Sequence, residues 1–548
     1  VAGGARRGIR QIAVIRATPE DRTRQAVDLK PVRLHPAEQG GATRRVEMGV
    51  DPTKGEVESR PQAGGFTTDL QAGAVGLPGI LMQGVATIAP AFAILASFVF
   101  TVSLAGIVTP WAYLLAGLVL LLMAITSSQL AKELPSAAGW YTWIARALSP
   151  QAGFFAGWIF SFWLPPVAAI SSGFLAKTVL EPEIKAQYSV TIPWWLWVVA
   201  IVGFVTFLTY RGIAISERIL VITGVLEIVI MVVLALWGLA DPGPGGFSTE
   251  PLNPGHFGDA PDLFLAVVFS IFAFSGWEAT APLAEESKNP RRYIVLGMIG
   301  SVIILAVYFV FVTWGYLVGI GVDHVDAIPK ASAFPVFTLA TRVWGDAWVI
   351  LLFALLNSAV AVSIACFNGG TRTWYGMGRT GVLPKALAEV SRTRKTPDKA
   401  IAVEAGVCAL AFLLMIIFSV EDVFFTWALT ITLGLILMYI LANVGVIRYY
   451  LTVRRAQFNP LLHLVLPIVA SVAVGYVGYK SVVPLPAAPT KYAPIILLGW
   501  LVVGAALLVW QNARGNREWL AKAQLATEDT ELREAAEEAV AAVDAPSR

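Results

Sequence analysis

Between about residue 77 and residue 510 the chain is built almost wholly from apolar blocks of about 20 residues, separated by short polar loops. A 20-residue helix is ~30 Å long, the thickness of a bilayer's hydrocarbon core. Backbone in that core must satisfy its own hydrogen bonds, which leaves helices or closed barrels as spanning structures. These blocks are continuously apolar rather than alternating, so they read as helices. The composition agrees: 56% of residues are hydrophobic, only 14% are charged, and the mean hydropathy is +0.68. A soluble chain of this length would need far more polar surface.

Twelve spans are expected, at 77–100, 110–129, 152–176, 193–209, 220–239, 263–283, 293–319, 348–367, 400–418, 424–446, 461–483 and 494–510. Tryptophans at block ends, among them Trp111, Trp194, Trp344, Trp348, Trp500 and Trp510, fit amphipathic rings at a lipid–water boundary. If the N-terminus lies inside, the inside loops hold Lys132, Arg146, Arg211, Arg218, Lys288, Arg291, Arg292, Arg372, Arg379 and the basic run through Lys399, then Arg448, Arg454 and Arg455. The outside loops hold only Lys177, Lys185, Lys330, Arg342, Lys480 and Lys491. That nearly threefold bias places both termini in the cytoplasm and the protein in the cell membrane.

Residues 1–68 lack periodicity and read as a disordered cytoplasmic tail, 69–450 as a core, 451–512 as two added spans, and 513–548 as a cytoplasmic tail with one charged helix from about Trp519. The first apolar block begins near Val75, so no secretory leader is expected. The chain starts with Val1, and Met48 stands shortly before the first span, so the start of the tail is open.

Several functions are disfavoured. A net charge of +3 gives no reason to expect a nucleic-acid partner. No phosphate-binding GxxxxGK[ST] loop appears, and no HExxH or paired histidines at metal-ligand spacing, so neither ATP drive, a cofactor, a metal nor an enzyme is expected. Cys366 and Cys408 both lie in apolar blocks, which argues against a disulfide framework.

Two spans carry matching interruptions. In the first, Gly84 is followed by Ala86, Thr87 and Pro90; in the sixth, Gly276 is followed by Ala279, Thr280 and Pro282. Each Pro stands six residues after its Gly. Gly permits non-helical angles, and Pro removes a backbone donor. Either interruption alone could be an ordinary kink or packing point. Five spans separate them, and this odd offset would invert the second copy, as in secondary transporters built from inverted repeats. A broken helix offers free N–H groups to a carboxylate and free C=O groups to an ammonium. That pairing suits a zwitterion such as an amino acid better than a polyamine.

Acidic residues within spans are rare and expensive, about 2.5–3.5 kcal/mol for Asp at the centre on insertion scales. Glu227 in the fifth span and Glu278 just past the sixth-span break are the two candidates for proton coupling, since burial disfavours a carboxylate's charge. A structural hydrogen-bonding role is the alternative for each.

Three stretches then carry a family resemblance: KELPSAAGWYTW at 132–143 with FFAGW at 154–158; FSGWE at 274–278 with AEESKNPRR at 284–292; and RTWYGMGRTGVLP at 372–384 with Thr396-Pro397. With them, the chain resembles the amino acid–polyamine–organocation permeases over about residues 77–510. The resemblance implies an all-α membrane protein of two inverted five-helix repeats plus two helices, as in leucine-transporter-like folds. It implies transport of an amino acid or related small amine by alternating access, driven by protons or by exchange. Backbone around Gly84, Ala86 and Thr87 would face the substrate carboxylate. Carbonyls of Phe272, Ala273 and Ser275, at the break marked by Gly276, would face its ammonium, with Phe272 or Phe274 as an aromatic lid. Glu285 and Glu286 with the Asn289–Arg292 run would be either solvated helix-end charges or an inner ion-pair gate. Many members carry a Lys where Glu227 stands, and many have a Gly-rich first-span break where this chain has Ala89-Pro90. A polyamine carrier and a non-transporting receptor on the same scaffold are the alternatives.

Overall fold

The computed structural model describes residues 66–67, 70–330, 335–514 and 519. Apart from Phe66, Thr67, Ala513, Arg514 and Trp519, both expected tails lie outside the described residues, as does the expected C-terminal charged helix beyond Trp519. The helices in chain order are α1 (Leu77–Ile88), α2 (Pro90–Ala105), α3 (Thr109–Ala131), α4 (Trp140–Ala147), α5 (Pro150–Trp163), α6 (Val167–Leu175), α7 (Glu181–Tyr188), α8 (Trp194–Arg211) and α9 (Ile213–Ala240). Then follow α10 (Leu263–Phe272), α11 (Pro290–Ile320), α12 (Pro335–Trp344), α13 (Val349–Thr380), α14 (Asp398–Ile417), α15 (Val420–Thr452), α16 (Leu466–Val482) and α17 (Ala493–Ala513). A 3-10 helix, Trp277–Glu286, continues beyond α10. β1 (Phe66–Thr67) and β2 (Val390–Ser391) pair antiparallel.

Among the described residues, eleven helical stretches are long and apolar enough to cross a membrane. The first, Leu77–Ala131, has 55 residues. As helix it would run ~80 Å, more than twice a bilayer core. It is interrupted at Ala89 and near Gly106, and so supplies two crossings, α1–α2 and α3. The protein is therefore a multi-pass all-α membrane protein, and dividing this first stretch makes twelve candidate crossings among the described residues.

Crossings differ in how much protein surrounds them. The most apolar window of Pro150–Ala186 is 89% buried, whereas that of Thr490–Ala513 is 17% buried. α17 therefore turns most of its surface outward, with Ile495, Leu498, Val502 and Val509 exposed, and α16 does likewise with Val472. Trp500 departs from its expected boundary role. It stacks on Trp158 of α5 with ring centroids 4.3 Å apart, and each indole N–H donates to the other residue's carbonyl, at 2.8 and 2.9 Å. Trp500 is thus a clasp between helices. The basic bias also included Arg372 and Arg379 as loop residues. α13 instead runs on to Thr380, and Arg372 is fully buried within it.

Candidate functional site

The first-span break falls at Ala89, five residues after Gly84. α1 stays helical through Gly84, Ala86 and Thr87 to Ile88; then Ala89 takes left-handed angles (φ 56°, ψ 70°) and α2 starts at Pro90. The cause is the proline. Its ring disfavours helical angles at the residue before it, and it has no N–H to continue the ladder. Gly84 serves close packing instead: a Cβ there would meet the Ser301 side chain of α11 at 2.7 Å. In the sixth span, α10 ends at Phe272, residues 273–276 form a turn, and Gly276 (φ 145°) leads into the 3-10 helix.

The two breaks touch. A Cβ on Gly276 would lie 2.8 Å from Ile88 N and from Thr87 C, so only glycine fits between them. Where both helices are interrupted, backbone carbonyls are released. Among the described residues, those of Thr87, Ile88, Ala273 and Ser275 accept no hydrogen bond from the backbone.

Thr87, Ile88, Ala89, Phe272, Ala273 and Ser275 line a small cavity of about 70 Å³. The remaining wall is largely aromatic: Phe92 of α2, Trp163 of α5, and Phe424 and Trp427 of α15, with Ser171 and Cys366 among the few polar groups. Phe92 also lines a second cavity that continues along α2 past Leu95 and Val99 to Ser103. Between the two cavities, Phe174 stacks on Phe424 (3.9 Å between centroids), and Phe92 meets both edge-on at 6.0 and 5.9 Å. These three rings form a lid on the α2 side.

The α1 side is shut by polar contacts. Val75 N–H donates to Glu286 O (2.8 Å) and Lys288 N–H to Val75 O (2.9 Å), which fastens the chain before α1 to the end of the 3-10 helix. Gln83 donates to Ala365 O (2.7 Å) and Ala279 O (3.3 Å). Arg372 pairs with Glu286 through Nε (2.8 Å) and a terminal nitrogen (3.2 Å), both side chains fully buried. Arg379 pairs with the half-buried Glu285 at 2.8 Å, and Glu285 also accepts from Ala137 N–H at 2.9 Å. Glu285 and Glu286 are thus ion-paired, with partners on α13 rather than in the Asn289–Arg292 run.

Both expected carboxylates sit at the breaks. Glu227 reaches from α9 to the start of α2, where its Oε1 accepts from Ala91 N–H (2.6 Å) and from the Ser358 hydroxyl of α13 (2.7 Å). Glu278 Oε2 accepts from Gly276 N–H at 2.7 Å. Each keeps one buried oxygen with no protein partner among the described residues, Glu227 Oε2 and Glu278 Oε1.

Of the residues singled out in the sequence, Thr87, Phe272, Ala273 and Ser275 line the cavity, and Gly276, outside that lining, packs against the first break. Gly84 and Ala86 do not line it, and neither does Phe274, which is fully buried and packs edge-on against Phe309 at 4.9 Å. The lid is formed by Phe92, Phe174 and Phe424, whose convergence from three helices leaves no local signature. Glu404 was missed although the signal was present: an acidic residue four positions inside an apolar block. It is fully buried on α14, beside Gly370 and within electrostatic reach of Arg372, and neither of its oxygens has a hydrogen-bond partner among the described residues.

The described residues thus form a multi-pass membrane protein in which two broken spans meet at a small cavity. The chain belongs to the amino acid permease family, whose profile matches residues 79–520. Similar curated proteins are permeases and not enzymes. The low-affinity putrescine importer PlaP of Escherichia coli K12 is 27% identical over 314 residues, 55% of this chain and 66% of that protein. The branched-chain amino acid permease BcaP of Lactococcus lactis is 26% identical over 432 residues, 74% of this chain and 87% of that protein. The serine/threonine exchanger SteT of Bacillus subtilis is 23% identical over 320 residues, 56% of this chain and 68% of that protein. The chain thus spans just under two thirds of the putrescine importer's length.

Proposed function

We propose that the protein is a secondary transporter that moves an amino acid or related small amine across the cell membrane by alternating access. The observation that carries this reading is the meeting of the two helix breaks at a cavity bounded by an aromatic lid on one side and an ion-paired base on the other. Carbonyls freed at Thr87, Ile88, Ala273 and Ser275 would hold an ammonium group. The two broken spans would be corresponding members of two inverted five-helix repeats within residues 69–450, with 451–512 as the two added helices. Both termini would lie in the cytoplasm, so that the base with Arg372–Glu286 and Arg379–Glu285 faces inward. Opening to that side then requires these pairs to separate. Glu227 and Glu278 are the candidates for proton coupling, and exchange is the alternative to proton drive.

A cationic amine is the second reading of the substrate. It is favoured because the chain's own carboxylates occupy donors at both breaks, and because one relative carries the name of a putrescine importer. Uptake into proteoliposomes is the deciding experiment, using a panel of labelled amino acids and amines with and without a pH gradient. Accumulation of at least one panel member above protein-free vesicles is expected. Folded, vesicle-inserted protein that takes up none would refute the proposal.

A further inference from the structure

We propose that Glu227 occupies the place that a substrate carboxylate would take at the start of α2, and so makes the site select amines that lack a carboxylate. This rests on the transporter reading above and names the substrate class of the same cavity.

A carboxylate entering a broken-helix site needs free first-turn N–H groups. None remains on α2. Pro90 has no N–H, Ala91 donates to Glu227, Phe92 donates to Ser358 Oγ at 3.3 Å, and Ala93 donates to Ala89 O at 2.8 Å. Ser358 in turn donates to Glu227, so the carboxyl and the hydroxyl form one fixed cap. At the other break Gly276 N–H is held by Glu278.

What remains at the cavity is mostly acceptor and π-face. Its wall has no Lys, Arg or His; its donors are neutral, chiefly the indole N–H groups of Trp163 and Trp427 and the hydroxyls of Ser171 and Ser275. Neutral donors without a cation do not pair a carboxylate, whose desolvation in a buried site is costly unless the charge is paired. An ammonium meets the opposite situation. Carbonyls stand free at both breaks, and Trp163, Phe272 and Trp427 offer ring faces of the kind that attract cations. Glu227 Oε2, buried and outside the cavity's lining, has no hydrogen-bond partner among the described residues. Capping needs only an acceptor oxygen on Ala91 N–H, so it holds whether Glu227 is ionised or neutral.

The test uses pairs that differ only by the carboxylate, putrescine against ornithine and 3-methylbutylamine against leucine, with the full chain in proteoliposomes. The wild type is expected to take up, or be inhibited by, each amine at least tenfold more effectively than its parent amino acid. Glu227→Ala frees Ala91 N–H, and should shrink that ratio at least tenfold through a gain for the amino acids. Glu227→Gln retains an acceptor oxygen and should keep the amine preference, which also decides the matter if the alanine variant fails to fold. Wild-type preference for ornithine or leucine would overturn this inference and leave the transporter reading standing. Uptake of neither member of either pair, together with none of the wider panel, would remove both. An unchanged ratio in a folded Glu227→Ala protein, or a lost preference in Glu227→Gln, would overturn the role given to Glu227.

Discussion

Arg372→Ala deletes the cation from an ion pair whose two side chains are both fully buried and joined by hydrogen bonds of 2.8 and 3.2 Å. Its loss leaves Glu286 without its ion-pair partner and removes a charge that compensates Glu404, which has no hydrogen-bond partner among the described residues. Breaking a buried pair by removing one member costs about 3–5 kcal/mol, because the remaining charge stays out of water. At 1.36 kcal/mol per tenfold, that is roughly two to four orders of magnitude in the folded-to-unfolded ratio. Arg379→Ala is the internal control. Its pair with Glu285 is 34% and 25% exposed, and solvent screening limits such a pair to about 1 kcal/mol or less. Glu286→Ala should fall between the two, since Glu404 still accompanies Arg372, and the Glu286→Ala/Arg372→Ala double variant should recover part of the loss. The assay is the half-life of folded, monodisperse protein in detergent against temperature, followed by size-exclusion chromatography, with wild type, Arg372→Ala, Glu286→Ala and their double variant forming a double-mutant cycle. If Arg372→Ala lost no more stability than Arg379→Ala, or if the double variant were additive, the pair would not be the buried, coupled unit described here.

Gly276→Leu should abolish uptake while the protein still inserts, because any Cβ at that position enters the contact with Ile88 and Thr87 at 2.8 Å; normal uptake by this variant would separate the site from the breaks. For orientation, a cysteine at exposed Thr249 should react with an impermeant thiol reagent on intact cells, and one at exposed Thr393 only after permeabilisation; the reverse pattern would invert every sidedness proposed above. His256, on the exposed stretch between α9 and α10, is expected to titrate above an ordinary imidazole because Asp259 and Glu250 each accept from its ring at 2.7 Å. The sign follows: a raised imidazole value means that the clamp is intact at lower pH and is lost as pH rises through that value. Histidine resonances in detergent would check this, and a value at or below 6.5 would refute it.

The amino-acid order alone determined the membrane class, the positions of the spans and the identity of both interrupted helices, because each follows from local chemistry. An apolar block of about 20 residues has few places to go but the bilayer, and Pro90 and Gly276 act on the backbone beside them. It also marked Glu227 and Glu278, since an acid in an apolar block stands out without any neighbour. Glu404 was legible by that same criterion. Tertiary structure decided what these residues do. Helix packing alone shows that Gly84 is a contact point and that the break waits until Ala89, that Phe274 turns into the core while Phe92, Phe174 and Phe424 converge as the lid, and that Arg372 leaves the expected loop for a buried pair with Glu286. It also brings Glu227 onto Ala91, 136 residues away in the chain. Such partnerships depend on the rotation of each helix about its axis, and the nearly uniform apolar character of membrane spans leaves that rotation unmarked in the sequence.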